Sequence, residues 1–84
     1  MVITRARRPG EAIGDAARAS GVHLETIRYY ERIGLVPQPT RAGNGRRVYD
    51  APAIRRLAFI RRARELGFAL DEIRELLALA DRGA

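Results

Sequence analysis

The sequence predicts one mainly α-helical domain with four helices and a small β-hairpin, and three observations support this. The chain has 84 residues, enough for a single hydrophobic core on the rule of roughly 150 residues per domain. Apolar residues recur every three to four positions in separate segments, as they do in amphipathic helices. Residues 35–49 interrupt this pattern with Pro and Gly, which favours a hairpin there.

The first eleven residues are expected to form a flexible basic arm. They carry three Arg and a Pro-Gly pair and have no usable periodicity. The folded domain is then expected to span residues 12–82. Its first helix is predicted over residues 14–20, where an Ala-rich stretch favours helix, and Gly21 is expected to end it in a left-handed conformation.

A second helix is predicted from about His23 to Ile33, where apolar residues again recur at helical spacing, and Gly34 is expected to end it. Two short helices joined by a turn of about three or four residues containing Gly form a helix-turn-helix unit. The second helix of such a unit can enter the major groove of DNA. The spacing of the first two predicted helices fits this unit.

The segment 35–49 is predicted to be a basic hairpin, the wing of a winged helix-turn-helix domain. Its two prolines exclude helix, and Gly-Asn-Gly at 43–45 supplies the positive-φ positions of a tight turn. Arg-Arg-Val-Tyr at 46–49 is predicted to be the return strand.

The last two helices are predicted over residues 51–66 and from about 70 to 80. Asp50 and Gly67 are expected to cap the third helix, whose apolar residues occupy more than one face, as expected of a central helix with neighbours on two sides. The fourth helix has one apolar stripe, and acidic residues stand in its first turn, where the helix dipole favours them. The Arg-Gly pair at 82–83 is expected to mark its end.

The composition indicates a polyanionic partner. The chain contains 16 Arg, no Lys and 10 acidic residues, giving a formal net charge of +6 and a pI of about 11.2. Nucleic acid is the first candidate for the partner, and an anionic membrane the second. Residues 1–64 hold 14 Arg and five acidic residues, whereas residues 65–84 hold two Arg and five acidic residues. The two parts are therefore expected to face different partners.

Residue types used in catalysis and metal binding are scarce. Cys is absent, and Ser and His occur once each, so we expect no enzymatic activity, no metal site and no cofactor. No segment has the apolar length of a signal peptide, and none has the roughly 20 apolar residues of a membrane span. A cytoplasmic protein that does not enter a membrane is therefore expected.

Six sequence blocks occur in a specific order and spacing. They are Ile-Gly-Asp-Ala-Ala at 13–17, Gly-Val at 21–22, Thr-Ile-Arg-Tyr-Tyr-Glu-Arg-Ile-Gly-Leu at 26–35, Arg-Val-Tyr at 47–49, Phe-Ile-Arg-Arg-Ala-Arg-Glu-Leu-Gly-Phe at 59–68 and Asp-Glu-Ile at 71–73. With these blocks, the chain resembles the N-terminal winged helix-turn-helix domain of the MerR family of bacterial transcription regulators over residues 12 to about 80. Several separated blocks are more specific than one helix-turn-helix pattern.

The resemblance implies a partner and a mechanism. Family members bind double-stranded DNA as homodimers, at inverted repeats in promoters whose spacer is too long, and they untwist and bend the spacer to realign the elements that RNA polymerase contacts. Effector binding in a C-terminal region, reached through a long dimerisation helix, switches the shape of the DNA. The 84 residues contain neither region, so weak or absent dimerisation is expected.

Residues of the second helix are the first candidates for DNA contact. Helical spacing turns five of them outward, namely His23, Glu25, Thr26, Arg28 and Tyr29. Arg28 leads because a guanidinium pairs bidentately with a guanine edge or a phosphate; an ion pair with Glu25 or Glu31 is the alternative. Many relatives hold Ser or Asn as a helix cap at position 23, so His23 leaves either a weaker cap or a substituted base contact.

Two adjacent pairs are further candidates. The resemblance places Tyr29 and Tyr30 close to the DNA backbone, although neighbours on a helix cannot share a face and Tyr30 alternatively belongs to the core. Arg46 and Arg47 of the wing are either solvated or in contact with phosphate and the minor groove. Strand alternation allows at most one of these two arginines to point at the duplex.

The third helix carries a second basic surface. The resemblance places Arg61 and Arg62 near backbone phosphate, whereas Arg55, Arg56 and Arg64 are expected to form a solvated face.

Three functions remain open on the sequence. The first is a sequence-specific transcription regulator of the MerR type, or its DNA-binding domain alone. The second is a stand-alone DNA-bending protein of the excisionase type. The absence of the dimerisation and effector regions agrees better with this function, whereas the block at 26–35 agrees with it less well. A small helical protein-interaction module, whose basic charge serves solubility, is the alternative from a different class.

Overall fold

The computed structural model describes residues 12–41 and 47–83. Within them, the elements follow in the order α1 (Ile13–Ser20), α2 (Leu24–Arg32), β1 (Thr40–Arg41), β2 (Arg47–Val48), α3 (Ala51–Glu65) and α4 (Leu70–Gly83). This order confirms the predicted mainly α-helical class with four helices, whereas of the predicted hairpin the described residues show two strands of two residues each. The expected basic arm and the tip of the hairpin, residues 42–46, lie outside the described residues.

Helices α1 and α2 are joined by a short turn fixed by Gly21. This residue has a φ of 78°, as predicted, and its N–H donates to the carbonyl of Ala17 at 2.9 Å. Ser20 is buried, and its hydroxyl accepts from the N–H of Val22 at 3.2 Å. The turn therefore satisfies its own backbone groups, which fixes the direction in which α2 leaves it.

The two strands pair antiparallel with a defined register. Thr40 lies opposite Val48, and Arg41 opposite Arg47. Each strand has two residues, so the described part of the wing is a short ladder at the base of the hairpin.

Residues from α1, α2, α3, α4 and the wing build one core. The four largest fully buried side chains are Ile27, Leu57, Ile60 and Ile73. Helix α3 contacts both α1 and α4, as expected of the central helix. Its apolar residues are not all buried, however, because Phe59 and Leu66 are 44% and 67% exposed.

Helix α4 is longer than predicted. It runs to Gly83 and not only to about residue 80, so its last residues are the Arg-Gly pair that was expected to mark its end. Gly83 has no positive φ, unlike Gly67, which stands in the turn before α4 with a φ of 101°. At the last turns of α4, Asp81 accepts a hydrogen bond from Arg56 of α3 at 2.5 Å, which ties this part of the helix to the domain.

The start of α4 retains a cap without a Ser at position 69. The Glu72 carboxylate accepts from the N–H of Ala69 at 2.8 Å, which is the reciprocal half of a capping box. Across the described residues, no helix combines the length and the apolar character that spanning a bilayer requires.

Candidate nucleic-acid interface

Helix α2 begins at a histidine cap. His23 has an extended backbone, and its Nδ1 accepts a hydrogen bond from the N–H of Glu25 at 3.1 Å. This contact uses one of the N–H groups that the first turn of a helix leaves without a partner. The sequence left two roles open for His23, a helix cap or a base contact, and in the structure His23 caps α2.

The outward face of α2 is largely as predicted. His23, Glu25, Arg28 and Tyr29 are exposed, whereas Thr26 is half-buried. Within the described ranges Arg28 forms no ion pair, so the alternative pairing with Glu25 or Glu31 is absent there. Its guanidinium therefore stands in solvent and is available to a base edge or a phosphate.

Tyr29 and Arg32 form a stacked pair on this face. The guanidinium carbon of Arg32 lies 5.8 Å from the centroid of the Tyr29 ring, within the range of a cation–π contact. Tyr29 is 42% exposed, so its hydroxyl is accessible. The stacking extends the positively charged face of α2 one turn beyond Arg28.

Tyr30 is a core residue, and its prediction as a DNA contact needs correction. Only 7% of it is exposed, because it shares the inner face of α2 with Ile27 three positions earlier. Its backbone carbonyl accepts from the N–H of Leu35 at 2.9 Å, closing the turn after α2. Of the two adjacent tyrosines, only Tyr29 is available to a ligand. Their ring centroids lie 6.0 Å apart.

Glu31 and Tyr49 connect α2 to the wing. The Tyr49 hydroxyl donates to the Glu31 carboxylate at 2.5 Å, and the two residues are only 3% and 6% exposed. Sequence reasoning missed the pairing of the Tyr49 hydroxyl with Glu31. The available signal was that Glu31 falls four residues after Ile27 on the buried face of α2, where a carboxylate needs a donor.

The basic surface of α3 adjoins the helix-turn-helix. A Cβ at Gly21 would lie 3.0 Å from Cδ and Nε of Arg61, so the Arg61 side chain covers this turn. Its guanidinium also pairs with Glu65 at 3.0 Å. Arg62 is exposed and has no ion pair in the described part of the chain.

The expectation of a solvated face is wrong for Arg56, whereas Arg64 is exposed as expected and also has a backbone partner. Arg56 pairs with Asp81, and its side chain is only 23% exposed. Arg64 donates to the carbonyl of Phe68 at 2.9 Å, which supports the turn after α3. Both therefore hold α4 or the turn that leads into it.

The wing arginines are less fully described. Arg46 lies outside the described residues, and for Arg47 the structure gives the backbone pairing with Arg41. The base of the wing is nevertheless fixed through Tyr49, one residue after the end of β2. Over residues 12–41 and 47–83, no cluster of three or more His, Asp or Glu residues could hold a metal ion.

Comparisons with known proteins agree with this arrangement. A sequence model described as "MerR HTH family regulatory protein" matches residues 12–80. A mercuric resistance operon regulatory protein of Bacillus cereus is 53% identical over 70 residues, which are 83% of this chain and 53% of that protein. The HTH-type transcriptional regulator HmrR of Rhizobium leguminosarum bv. viciae is 52% identical over 67 residues, 80% of this chain and 51% of that protein.

A solved structure has the same fold. The transcription regulator PbrR691 from Ralstonia metallidurans CH34, crystallised in complex with lead(II), superposes with a TM-score of 0.77 at 44% identity. The superposition covers 84% of this chain and 56% of that one. The chain thus spans about half the length of the curated relatives it matches.

Proposed function

The chain belongs to the MerR family of helix-turn-helix regulators, and from this premise we propose that it binds double-stranded DNA sequence-specifically to regulate transcription. One observation carries the proposal: the exposed face of α2 presents Arg28 without an ion pair in the described residues and Arg32 stacked on Tyr29. Burial of the opposite face of α2 leaves this one for a ligand. A polyanion is the ligand that such a face fits.

In the proposed complex, α2 lies in the major groove. Arg28 pairs with a base edge or a phosphate, and the Tyr29 hydroxyl donates to a phosphate. His23, Glu25 and Thr26 belong to the first turn, the part of a recognition helix that meets base edges. His23 acts there chiefly through its cap, which sets the direction of the first turn.

Phosphate contacts on either side of α2 complete the proposed interface. Arg61, beside the turn between α1 and α2, and Arg62 on the same helix are placed on one side. On the other side, one of the two wing arginines, Arg46 or Arg47, is proposed to contact phosphate. The hydrogen bond between Glu31 and Tyr49 supports this arrangement, because it fixes the base of the wing against the end of α2.

The target of the proposed regulator is a promoter inverted repeat, with RNA polymerase bound at the same promoter. Two copies would read the two halves of such a repeat. We propose that this chain by itself dimerises weakly, as expected from the sequence, which leaves Leu76 and Leu79 of α4, 38% and 59% exposed, without a covering partner helix. The cytoplasm, where bacterial DNA lies, is the proposed compartment.

The relatives named above include one mercuric resistance regulator and one regulator crystallised in complex with lead(II). Soft metal ions of this kind prefer thiolate ligands, and this chain contains no Cys and a single His. We therefore propose the DNA-binding role for these 84 residues and assign no metal site to them.

Salt dependence tests the binding itself. The chain would be used to select a preferred short duplex from a random-sequence pool, and its affinity would then be measured by fluorescence anisotropy at several salt concentrations. If about six phosphates are contacted, the logarithm of the affinity should fall with the logarithm of the salt concentration with a slope of about −5. An affinity that does not change with salt would exclude nucleic acid as the partner.

Arg28→Ala tests the proposed recognition face. The expected loss is about 1 to 3 kcal/mol on the preferred duplex and much less on a scrambled duplex, if Arg28 reads a base. Arg82→Ala is the matched control, since Arg82 is an exposed arginine of α4 without an ion pair in the described residues. Equal losses on both duplexes would reassign Arg28 to phosphate, and no loss in either would contradict the proposed face.

A further inference from the structure

The turn that follows α2 is held by an arginine from the far end of the sequence. Arg74 of α4 donates from Nη2 to the carbonyl of Ile33 at 3.1 Å and from Nη1 to the carbonyl of Gly34 at 3.2 Å. These carbonyls lie at the negative end of the α2 dipole, where a cation is favoured. A guanidinium that donates hydrogen bonds to two successive carbonyls restrains the orientation of that backbone segment as well as its distance from the arginine.

Arg74 is itself held in place at its own helix. The preceding residue, Ile73, is fully buried in the core, and Asp81 in the last turns of α4 is tied to Arg56 of α3. Helix α4 is therefore held to the core and to α3 at points on both sides of Arg74. Through its guanidinium, Arg74 therefore links the end of α2 to a helix that is itself held in place.

We propose that Arg74 is a positioning residue for DNA recognition, which sets the orientation of α2 relative to α3 and α4 by clamping the Ile33 and Gly34 carbonyls. Arg74 itself need not touch DNA. The proposal rests on the proposed function, in which α2 reads the major groove. The position of α4 is then coupled to that of α2, because a shift of α4 either moves α2 or breaks the two hydrogen bonds of Arg74.

The consequence for binding differs between specific and non-specific DNA. Hydrogen bonds to base edges need α2 in one orientation, whereas phosphate contacts from flexible arginines tolerate a small rotation. Loss of the clamp should therefore lower the preference for the selected duplex more than the affinity for scrambled DNA. An arginine that served stability alone would leave that preference unchanged at temperatures where the protein is folded.

The test compares Arg74→Ala with Arg82→Ala, which removes the same charge from the same helix, and with Arg56→Ala, which removes the hydrogen bond between α3 and Asp81 of α4. The measured quantity is the ratio of affinities for the selected duplex and for a scrambled duplex of equal composition. We expect this ratio to fall about tenfold in Arg74→Ala and by less than about twofold in Arg82→Ala. Tenfold is roughly the discrimination that one bidentate contact between a side chain and a base provides. Arg74→Lys, which can still donate to one carbonyl, should recover part of the ratio.

A second measurement does not depend on DNA. Residual dipolar couplings of the free protein report the angle between α2 and α3, and this angle should change or broaden in Arg74→Ala and stay unchanged in Arg82→Ala. If Arg74→Ala is unfolded, Arg74→Gln replaces it in both measurements. The proposal would be overturned if the Arg74 variant kept the wild-type angle. It would also be overturned if the wild type preferred the selected duplex and the Arg74 variant showed the same affinity ratio. A wild type that shows no salt-dependent DNA binding would instead contradict the proposed function.

Discussion

Replacing Tyr49 with Phe removes one hydroxyl and keeps the ring that fills the core. In the structure this hydroxyl donates to the Glu31 carboxylate at 2.5 Å, and both residues are almost fully buried. A hydrogen bond to a charged group contributes about 1.5 to 3 kcal/mol, and the buried carboxylate would lose one donor without gaining water. We therefore expect the free energy of unfolding to fall by about 2 kcal/mol. For a domain of this size, that corresponds to a decrease of roughly 10 °C in Tm.

Urea unfolding followed by circular dichroism measures this change. Tyr29→Phe is the matched control, because it deletes the same hydroxyl from a residue that is 42% exposed, and its effect should stay within about 0.5 kcal/mol. A double-mutant cycle with Glu31→Gln then isolates the interaction between the two side chains. If Tyr49→Phe and Tyr29→Phe are equally stable, or if the cycle gives no coupling energy, the argument that this pair anchors the wing is refuted.

Three further predictions concern stability and use the same unfolding assay. Gly21→Ala should lower the free energy of unfolding by about 1 to 2 kcal/mol, because a Cβ is strained at a φ of 78°. Gly14→Ala, inside α1 with open space around it, should instead raise it by up to about 1 kcal/mol. A neutral Gly21→Ala would contradict the left-handed turn. Ile73→Ala should cost about 2 to 5 kcal/mol and Leu79→Ala less than about 0.5 kcal/mol, since the first is fully buried and the second 59% exposed; similar losses would contradict the described packing of α4. His23→Asn should gain up to about 1 kcal/mol, because Asn is a stronger helix cap, and a loss would indicate that the imidazole does more than cap α2.

The order of the helices was predictable because their ends are marked locally. Gly21, Gly34 and Gly67 all have positive φ, and each stands where the sequence predicts a helix to end. Caps of this kind depend on a few neighbouring residues, so a reading of the sequence finds them. Helix α4 ends at the Arg-Gly pair that the sequence marks, and a hydrogen bond from Arg56 of α3 to Asp81 supports its last turns.

Burial was predictable only where the periodicity was clean. The single stripe of α4 consists of Leu70, Ile73, Leu76, Leu77 and Ala80, of which Ile73 and Leu77 are buried whereas Leu76 and Ala80 are exposed. In α3 the apolar residues surround the helix, so the pattern could not decide that Leu57 and Ile60 turn inward while Phe59 remains largely exposed. That choice depends on where α1 and α4 pack.

The sequence by itself determined the four helices, the helix-turn-helix spacing, the outward placement of Arg28 and Tyr29, and the basic character of the surface they share. Local periodicity and local caps encode these features. Only the tertiary structure decided that Glu31 meets Tyr49, 18 residues away, and that Arg74 reaches the carbonyl of Gly34, 40 residues away. Neither contact follows from a local pattern, because each forms only when the packing of the whole core brings two distant segments together.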